Sequence, residues 1–234
     1  MRLTYDHSQA EAGNIWTFYF KPAKPVQYTP GQYIELTVDH NQPDDRGNRR
    51  WFTLSSSPNE PLLSITTKFA AHNSSSFKTA LKQLAPGTEV TMSDPMGDFV
   101  LPKLVQTPLI FVAGGIGITP FHSIFSWLAE THESRPIRFI YGVNNEDEII
   151  FQTAMAKAGV HATIVVGQPT DAWGGERGKI TAELVLGLQP PTDESLIYIS
   201  GPETMVVSLA KDLRQAGIER RQIVSDEFTG YASL

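Results

Sequence analysis

The chain has 234 residues, of which 41% are hydrophobic, so it can form one large domain or two smaller ones with substantial cores. Its formal net charge of −6 argues against general nucleic-acid binding, and the absence of cysteine excludes disulfides, thiolate zinc sites, a cysteine nucleophile and an iron–sulfur cluster bound by this chain. No apolar run reaches the roughly 18 residues of a membrane span, and the first residues contain no apolar signal core, so we expect a cytoplasmic protein.

Short strands are predicted throughout the N-terminal part of the chain. Segments rich in β-branched and aromatic residues alternate with turns that contain Pro and Gly, at residues 15–20, 32–38, 51–54, 62–67, 89–92 and 99–101. This spacing is typical of a closed antiparallel barrel. The polar stretch 39–49 is predicted to be an exposed loop. One helix is predicted at residues 75–84, where serines precede apolar residues at helical spacing.

The pattern changes after Pro102. Apolar runs now alternate with helical stretches that begin after Thr119, Glu148, Thr181 and Pro202. The runs are predicted strands, at residues 109–113, 137–141, 162–166, 196–200 and 222–224. This alternation indicates an α/β unit with a five-stranded parallel sheet and helices on its faces. We place the domain boundary near residue 103, which divides the chain into residues 1–103 and 104–234.

The stretch AGGIGITP at residues 113–120 lies between a predicted strand and a predicted helix. Glycines allow backbone N–H groups to approach a ligand closely, and a helix N-terminus carries partial positive charge, so a pyrophosphate suits this turn. Pro120 suits a first helical turn. Because the spacing differs from GxGxxG, a structural strand-to-helix turn remains the alternative.

Two segments resemble the flavin-binding part of the ferredoxin–NADP reductase superfamily. RWFTLSSS at residues 50–57 resembles the family's Arg-x-Tyr-Ser/Thr flavin motif, and YTPGQY at 28–33 resembles its Pro-Gly-Gln segment. LAPG at 84–87 and DPMGDF at 94–99 are similar to its later Pro-Gly and Gly-x-Phe elements.

The resemblance continues through the second half of the chain. GGIGITP at residues 114–120 is similar to the family's nicotinamide-dinucleotide turn, and SGPETM at 200–205 resembles its Cys-Gly-Pro-x-x-Met segment. Together the segments imply an FAD-binding Greek-key barrel in residues 1–103, followed by an NAD(P)-binding α/β domain in residues 104–234.

The resemblance assigns three neighbouring residues to the flavin. Arg50 offers a planar fork for a phosphate, Phe52 a flat wall for the isoalloxazine ring, and Thr53 a hydroxyl for the ring's reactive nitrogen. The family usually carries Tyr in place of Phe52, so one possible ribityl hydrogen bond is lost. The other FAD contacts that the resemblance implies are Trp51, Ser55, Thr66, Thr67, Lys68, Ser75, Ser76 and Phe77. A strand with an exposed Arg50 and ordinary capping by the two serines before the helix are the structural alternatives.

On the nicotinamide side, the resemblance implies contacts from both turns: Gly114, Gly115, Gly117, Thr119, Pro120, Gly201, Pro202 and Met205. Ser200 replaces the family's usual cysteine, which implies slower hydride transfer or an altered nicotinamide position. Near the C-terminus, SDEFTGY at residues 225–231 resembles the family's terminal aromatic segment. Phe228 would then shield the flavin, and Asp226 or Glu227 would accept from the nicotinamide carboxamide. The alternative is a frayed tail.

The segment after the second strand of the α/β domain bears on the choice between NADH and NADPH. Residues 141–148 contain three acids and no cation, which favours NADH because a 2′-phosphate normally needs a nearby Arg or Lys. Arg177 and Lys179, on a later loop, could still reach such a phosphate.

The sequence therefore predicts an FAD-dependent oxidoreductase that accepts hydride from NAD(P)H, preferably NADH, with Thr53, Ser200, Glu227 and Phe228 at the catalytic centre. The electrons would pass to a separate protein, such as a ferredoxin, oxygenase or haem component, or to a small molecule. The alternatives are a regulatory or electron-transfer subunit that binds flavin or nucleotide without turnover, and a structural protein on the same fold. The six histidines show neither HxH nor HExxH spacing, so no metal site is predicted, and His122 is expected to pack or cap a helix.

Overall fold

The computed structural model describes residues 1–41, 43–70, 75–188 and 191–228. Within them, six antiparallel strands form a first sheet: β1 Arg2–Ala12, β2 Ile15–Pro22, β3 Tyr33–Thr37, β4 Arg49–Thr53, β5 Leu63–Lys68 and β6 Glu89–Met92. Their spatial order is β4-β3-β6-β1-β2-β5. A bridge between Leu54 and Ile65 joins the two outer strands, so the sheet closes on itself. The predicted antiparallel barrel is confirmed.

Two elements of the barrel differ from the prediction. The eleven-residue strand β1 was missed because, beyond the buried Leu3 and Tyr5, most of its residues are polar and exposed or half-buried. Residues 99–101, predicted as a strand, form none. Phe99 instead packs edge-on against the rings of Phe121 and Tyr198, at 5.4 and 5.1 Å between centroids. The apolar residue that suggested a strand is therefore a core residue in a segment without regular structure.

A parallel sheet makes up the second half of the described chain. Its six strands are β7 Leu109–Gly114, β8 Ile137–Val143, β9 Ala162–Val166, β10 Glu176–Arg177, β11 Leu196–Pro202 and β12 Ile223–Phe228. They lie in the order β10-β9-β8-β7-β11-β12. The prediction had five strands, and the sixth, β10, is too short at two residues to leave a pattern in the sequence. The parallel α/β fold is confirmed.

Helices accompany both sheets. They are α1 Ser76–Lys82 beside the barrel, and α2 Thr119–Thr131, α3 Gln152–Lys157, α4 Ala182–Leu188 and α5 Glu203–Gln215 around the parallel sheet. Apolar clusters cover both faces of that sheet, so its central strands are buried on both sides. The predicted boundary near residue 103 falls in the interval between β6 and β7 and stays a prediction.

Parallel strands bring their carboxyl ends to one edge of a sheet. Here β7 ends at Gly114, β11 at Pro202 and β12 at Phe228, so the three sequence segments with predicted ligand roles meet at that edge. In the described part of the chain, no helix is both long enough and apolar enough to span a lipid bilayer.

Candidate functional site

A cavity of about 700 Å³ lies between the barrel and the carboxyl edge of the parallel sheet. Both halves of the chain contribute predicted site residues to its wall: Arg50, Trp51, Phe52, Thr53, Thr66, Ser75, Thr119, Asp226, Glu227 and Phe228. The other predicted residues do not line it: Ser55, Thr67, Lys68, Ser76, Phe77, Gly114, Gly115, Gly117, Pro120, Ser200, Gly201, Pro202 and Met205.

The side chains of β4 alternate about the barrel wall. Arg50 and Phe52 share one face and are each 9% exposed, whereas Trp51 on the other face is 57% exposed. Thr53 follows on the face of Trp51 but is only 5% exposed. The central guanidinium carbon of Arg50 lies 5.4 Å from the ring centroid of Phe77. The rings of Phe77 and Phe52 are 5.7 Å apart between centroids, so Phe77 supports the site from behind the cavity wall.

Asp44 holds the guanidinium of Arg50. Nη2 of Arg50 donates to Oδ1 of Asp44 at 2.8 Å, and Nη1 donates to the carbonyl oxygens of Arg46, Gly47 and Arg49. Desolvation acts to raise the pKa of Asp44, but hydrogen bonds with Arg46, Arg50 and Ser76 hold that pKa below its ordinary value. This role of Asp44 was not predicted from the sequence. The sequence offers one local sign of the contact: Asp44 precedes Arg50 by only six residues, in a loop that folds back on β4.

The serines at the start of α1 have the geometry of ordinary capping. The Ser76 N–H donates to Oδ2 of Asp44 at 3.0 Å, and the Ser76 hydroxyl accepts from the N–H of Asp44 at 2.8 Å. The Ser75 hydroxyl accepts from the N–H of Lys78 at 3.3 Å. A role for these serines in binding a pyrophosphate therefore stays a prediction, and Ser76 is already engaged with Asp44.

The residues predicted around the FAD diphosphate are mostly tied to protein partners. The hydroxyl of Thr66 lies 2.9 Å from those of Thr17 and Ser55, which links β5 to β2 and to the segment that follows β4. Nζ of Lys68 donates to Glu148 at 2.6 Å, an ion pair that joins the barrel to the loop after β8. Of Thr66, Thr67 and Lys68, Thr66 alone lines the cavity.

The two predicted nicotinamide turns pack directly on each other. Gly115 has φ of +52°, a conformation that favours glycine. A Cβ on Gly117 would overlap the backbone carbonyl of Ser200, and one on Gly114 would overlap the side chain of Met205. The glycines therefore allow the end of β7 to sit against the end of β11, and Thr119 then enters the cavity wall as α2 begins.

The end of β12 forms the far wall of the cavity. Asp226, Glu227 and Phe228 belong to an ordered strand paired with β11, which differs from the alternative of a frayed tail. Burial, followed by the charge of Glu227, raises the pKa of Asp226 to about 6. The rest of the resembling segment, through Tyr231, lies outside the described residues.

Three buried side-chain oxygens in the described chain have no hydrogen-bond partner: Oγ1 of Thr53, Oγ of Ser200 and Oδ2 of Asp226. An unsatisfied buried polar group costs about 1–3 kcal/mol, so such groups commonly mark functional positions. Thr53 and Asp226 line the cavity, whereas Ser200 does not line it but is paired in register with Asp226 on the neighbouring strand. Their donor and acceptor chemistry fits a polar, planar ligand that contacts both halves of the chain.

The loop after β8 is bonded to the loop that carries Arg177. Glu146 accepts hydrogen bonds from the N–H and hydroxyl of Thr170, at 2.8 and 2.7 Å. Arg177 donates to the carbonyl oxygens of Thr170 and Trp173, at 3.2 and 2.7 Å. The bonds from Thr170, with a smaller effect of Arg177, lower the pKa of Glu146. Arg177 and Lys179 both line a second groove rather than the main cavity.

Comparison with known proteins gives related sequences and folds. Residues 111–211 match the family model described as an oxidoreductase NAD-binding domain. Over 95% of its length the chain is 28% identical to flavohemoprotein A of Dictyostelium discoideum, and it spans 59% of that curated relative. The chain therefore corresponds to about three-fifths of the longer protein.

Two solved structures are similar over 97% of the chain. One is the flavohaem-like FAD/NAD-binding domain of a nitric oxide dioxygenase from Vibrio cholerae, with a TM-score of 0.80, 24% identity and 98% of that chain covered. The other is the cytochrome P450 reductase GcoB of Amycolatopsis, with a TM-score of 0.82, 21% identity and 70% covered. These likenesses establish a shared two-part fold.

The matched family model contains both the glycine turn and the turn at residues 200–205. The sequence relative extends the similarity over the barrel, and the structural neighbours share both sheets. The second half of the chain therefore matches an oxidoreductase NAD-binding domain, and the whole chain is similar to these proteins in sequence or fold, which agrees with the resemblance to the ferredoxin–NADP reductase superfamily that its motifs carry.

Proposed function

We propose that this chain is a reductase that binds FAD in the cavity, accepts hydride from NAD(P)H and passes electrons to a separate acceptor. The observation that carries the proposal is that Thr53 of β4 and Asp226 of β12, which line one cavity between the two sheets, each have a buried side-chain oxygen without a partner. A third such oxygen belongs to Ser200 of β11, which is paired in register with Asp226. The relatives support it, since one is a flavohemoprotein and another an FAD/NAD-binding domain. The proposal includes the division into an FAD domain, residues 1–103, and an NAD(P) domain, residues 104–234.

The residues of β4 fit a flavin nucleotide. Arg50 has donors to spare beyond Asp44 and its three carbonyl partners, and these suit a phosphate. Phe52 offers a ring face to the cavity, and Thr53 has a buried hydroxyl without a partner. When bound, FAD would supply the redox chemistry, because a flavin converts a two-electron donation into single-electron steps.

The nicotinamide would lie at the carboxyl edge of the parallel sheet. The hydroxyl of Ser200 and the carboxyl of Asp226 can accept from a carboxamide N–H, and Phe228 on the same strand end can exclude water. The turns at Gly117 and Met205 hold this edge in place. Ser200 in place of the family's usual cysteine keeps hydrogen-bonding capacity at that position.

NADH is the favoured donor. The acidic Glu146 follows β8, where an acidic residue suits an unmodified ribose, and it is held in place by Thr170. Arg177 is engaged with backbone carbonyls of its own loop. A 2′-phosphate would have to compete with both arrangements.

The acceptor lies outside this chain. With no cysteine, these residues cannot hold an iron–sulfur cluster. The flavohemoprotein and P450 reductase relatives favour a haem or oxygenase component, and a ferredoxin or a small molecule is the other candidate class. The cytoplasmic location stays a prediction from the sequence.

One experiment tests the function. The purified protein is reconstituted with FAD, its visible spectrum is recorded, and NADH is added without oxygen. Bleaching of the flavin band supports a reductase. A flavin that binds but is not bleached by NADH or NADPH would indicate a regulatory or electron-transfer subunit, and failure to bind any flavin would indicate a structural protein.

A further inference from the structure

Three consecutive serines follow the flavin-facing strand β4. Ser55, Ser56 and Ser57 have no exposed surface, although the stretch is polar and contains no regular strand beyond residue 53. Side chains of this kind are rarely buried as a group unless a neighbouring element takes up their polar atoms. That element is α2, the helix that begins at the glycine turn.

The first turn of α2 binds the backbone of this segment. Nδ1 of His122 lies 2.7 Å from the carbonyl oxygen of Ser55, and the Ser123 hydroxyl donates to the carbonyl oxygen of Ser56 at 2.5 Å. Both contacts join residues 67 positions apart in the chain. They connect the barrel directly to the α/β unit.

The His122 ring is held in a single state. Its ring stacks on that of Phe151 at 3.8 Å between centroids, and Phe151 has φ of +63°, an uncommon conformation for a bulky residue. Desolvation lowers the pKa of His122 to about 4, against the smaller raising effect of its bond to Ser55. The imidazole is therefore neutral near pH 7. Because a carbonyl oxygen can only accept, Nδ1 carries the hydrogen and donates it.

A third contact lies two turns further along the helix. The Ser57 hydroxyl donates to Oε2 of Glu130 at 2.5 Å. The serine segment thus contacts α2 near both ends of the helix. Contacts at both ends restrict rotation of the helix as well as translation along the segment.

These contacts link the two halves of the proposed reaction site. Thr53, which lines the cavity, lies two residues before Ser55, and Thr119, which also lines it, lies three residues before His122. Thr119 and His122 are therefore less than one helical turn, about 5.4 Å, apart along α2. The hydrogen bonds to the serine carbonyls thus connect the two cavity residues through only a few residues on each side. Hydride transfer requires reacting atoms about 3–3.5 Å apart, and a displacement of 1 Å can lower a rate about a hundredfold.

We propose that His122 and Ser123 are positioning residues for hydride transfer. They fix the separation of the nicotinamide turn from the flavin strand and touch neither ligand. This inference rests on the proposed function. It predicts that loss of both contacts leaves each cofactor bound but slows the transfer between them.

The test compares four proteins: the wild type, the double variant His122→Ala/Ser123→Ala, the variant His122→Asn, and a control. Asparagine retains an N–H donor near the position of Nδ1 and should restore most of the function. The control is Thr131→Ala on the same helix. In the described part of the chain, the Thr131 hydroxyl bonds only within α2, to the carbonyl oxygens of Trp127 and Leu128.

We expect the double variant to bind FAD and NADH with dissociation constants within about twofold of the wild type. Its rate of anaerobic flavin reduction should fall about tenfold or more, with a larger isotope effect from deuterated NADH. The His122→Asn variant and the control should stay within about threefold of the wild-type rate. An unchanged reduction rate in the folded, FAD-loaded double variant overturns the proposal.

A second measurement does not depend on turnover. Because the chain has no cysteine, Thr91→Cys on β6 and Lys211→Cys on α5 provide two unique, exposed sites for spin labels, one on each half. We expect the double variant to broaden the distribution of distances between the labels, with the control unchanged. An unchanged distribution overturns the inference even if NADH fails to reduce the wild-type flavin, which would contradict the proposed function separately.

Discussion

Ser200 on β11 and Asp226 on β12 lie opposite each other in parallel register, and each has a buried side-chain oxygen without a hydrogen-bond partner. Two adjacent strands rarely leave neighbouring polar groups unsatisfied, since each such group costs about 1–3 kcal/mol. The pair lies near the carboxyl edge of the parallel sheet, where β7 also ends and the glycine turn begins. A destabilised pair at this position is characteristic of a binding site rather than of a structural core.

The first prediction concerns Asp226 and pH. Burial raises the pKa of Asp226 from 3.8 to about 6. Between pH 4 and pH 6 the folded protein keeps a proton that the unfolded chain has lost, so this carboxyl makes the free energy of unfolding fall as pH rises. Asp226→Asn removes that dependence. At pH 7 the apoprotein variant should be more stable than the wild type by on the order of 2–3 kcal/mol, and at pH 3.5 nearly equal to it.

Urea unfolding at the two pH values measures the difference for Asp226→Asn. The control is Asp212→Asn, a substitution of the same kind on the exposed face of α5. A difference between Asp226→Asn and the wild type that is the same at both pH values would contradict the raised pKa of Asp226.

The second prediction concerns the flavin and Arg50. Extraction of the purified protein should release FAD, and Arg50→Ala should weaken FAD binding by about 1.5–3 kcal/mol, because a charge-assisted phosphate contact is lost. Fluorescence titration of the apoprotein measures the affinity. The control Arg2→Ala removes an exposed arginine of the same barrel that pairs with Glu89 and should bind FAD normally. Recovery of FMN alone would refute the assignment of FAD.

The third prediction concerns the nicotinamide donor. Steady-state kinetics should give a higher kcat/KM for NADH than for NADPH. Glu146→Gln should reduce the ratio of these two kcat/KM values, because it removes a negative charge near the expected position of the ribose. Arg177→Ala should leave the preference for NADH in place. A preference for NADPH that disappears in Arg177→Ala would show that the later loop selects the cofactor.

The fourth prediction concerns Gly117. An added Cβ would overlap the backbone of Ser200 and Gly201, which cannot move as a flexible side chain can. Gly117→Ala should therefore lower the free energy of unfolding by about 1–3 kcal/mol and raise the KM for NADH. The control is Gly187→Ala in α4, where no described atom outside the backbone of that helix and the neighbouring residues lies within 4 Å of the new Cβ. It should raise stability by up to about 1 kcal/mol. Equal unfolding midpoints for the two variants would contradict the close packing of the turns.

The fifth prediction concerns Phe228. Phe228→Ala keeps β12 intact, unlike a truncation after Val224, which would remove most of that strand. The variant should retain FAD while the rate of flavin reduction by NADH changes several-fold, because an apolar wall of the cavity is lost. Stopped-flow absorbance measures the rate. Unchanged reduction would leave this end of β12 without a part in the reaction.

The sequence by itself determined the fold class and which two turns meet at one edge of the parallel sheet. Short alternating strands give way to buried apolar runs separated by helices, and this change of period distinguishes a barrel from a parallel sheet without any tertiary information. The glycine turn and the segment at residues 200–205 were also readable, because the carboxyl ends of neighbouring parallel strands must meet. Strands with little pattern, such as the polar β1 and the two-residue β10, were not readable.

The tertiary structure alone decided how the site is held. Asp44 reaches Arg50 because a loop folds back on β4, and His122 and Ser123 reach the serines that follow that strand across 67 residues of sequence. Such hydrogen bonds depend on the relative placement of two sheets. Local periodicity reports which face of an element is buried, but it contains no information about which distant polar group that face will meet.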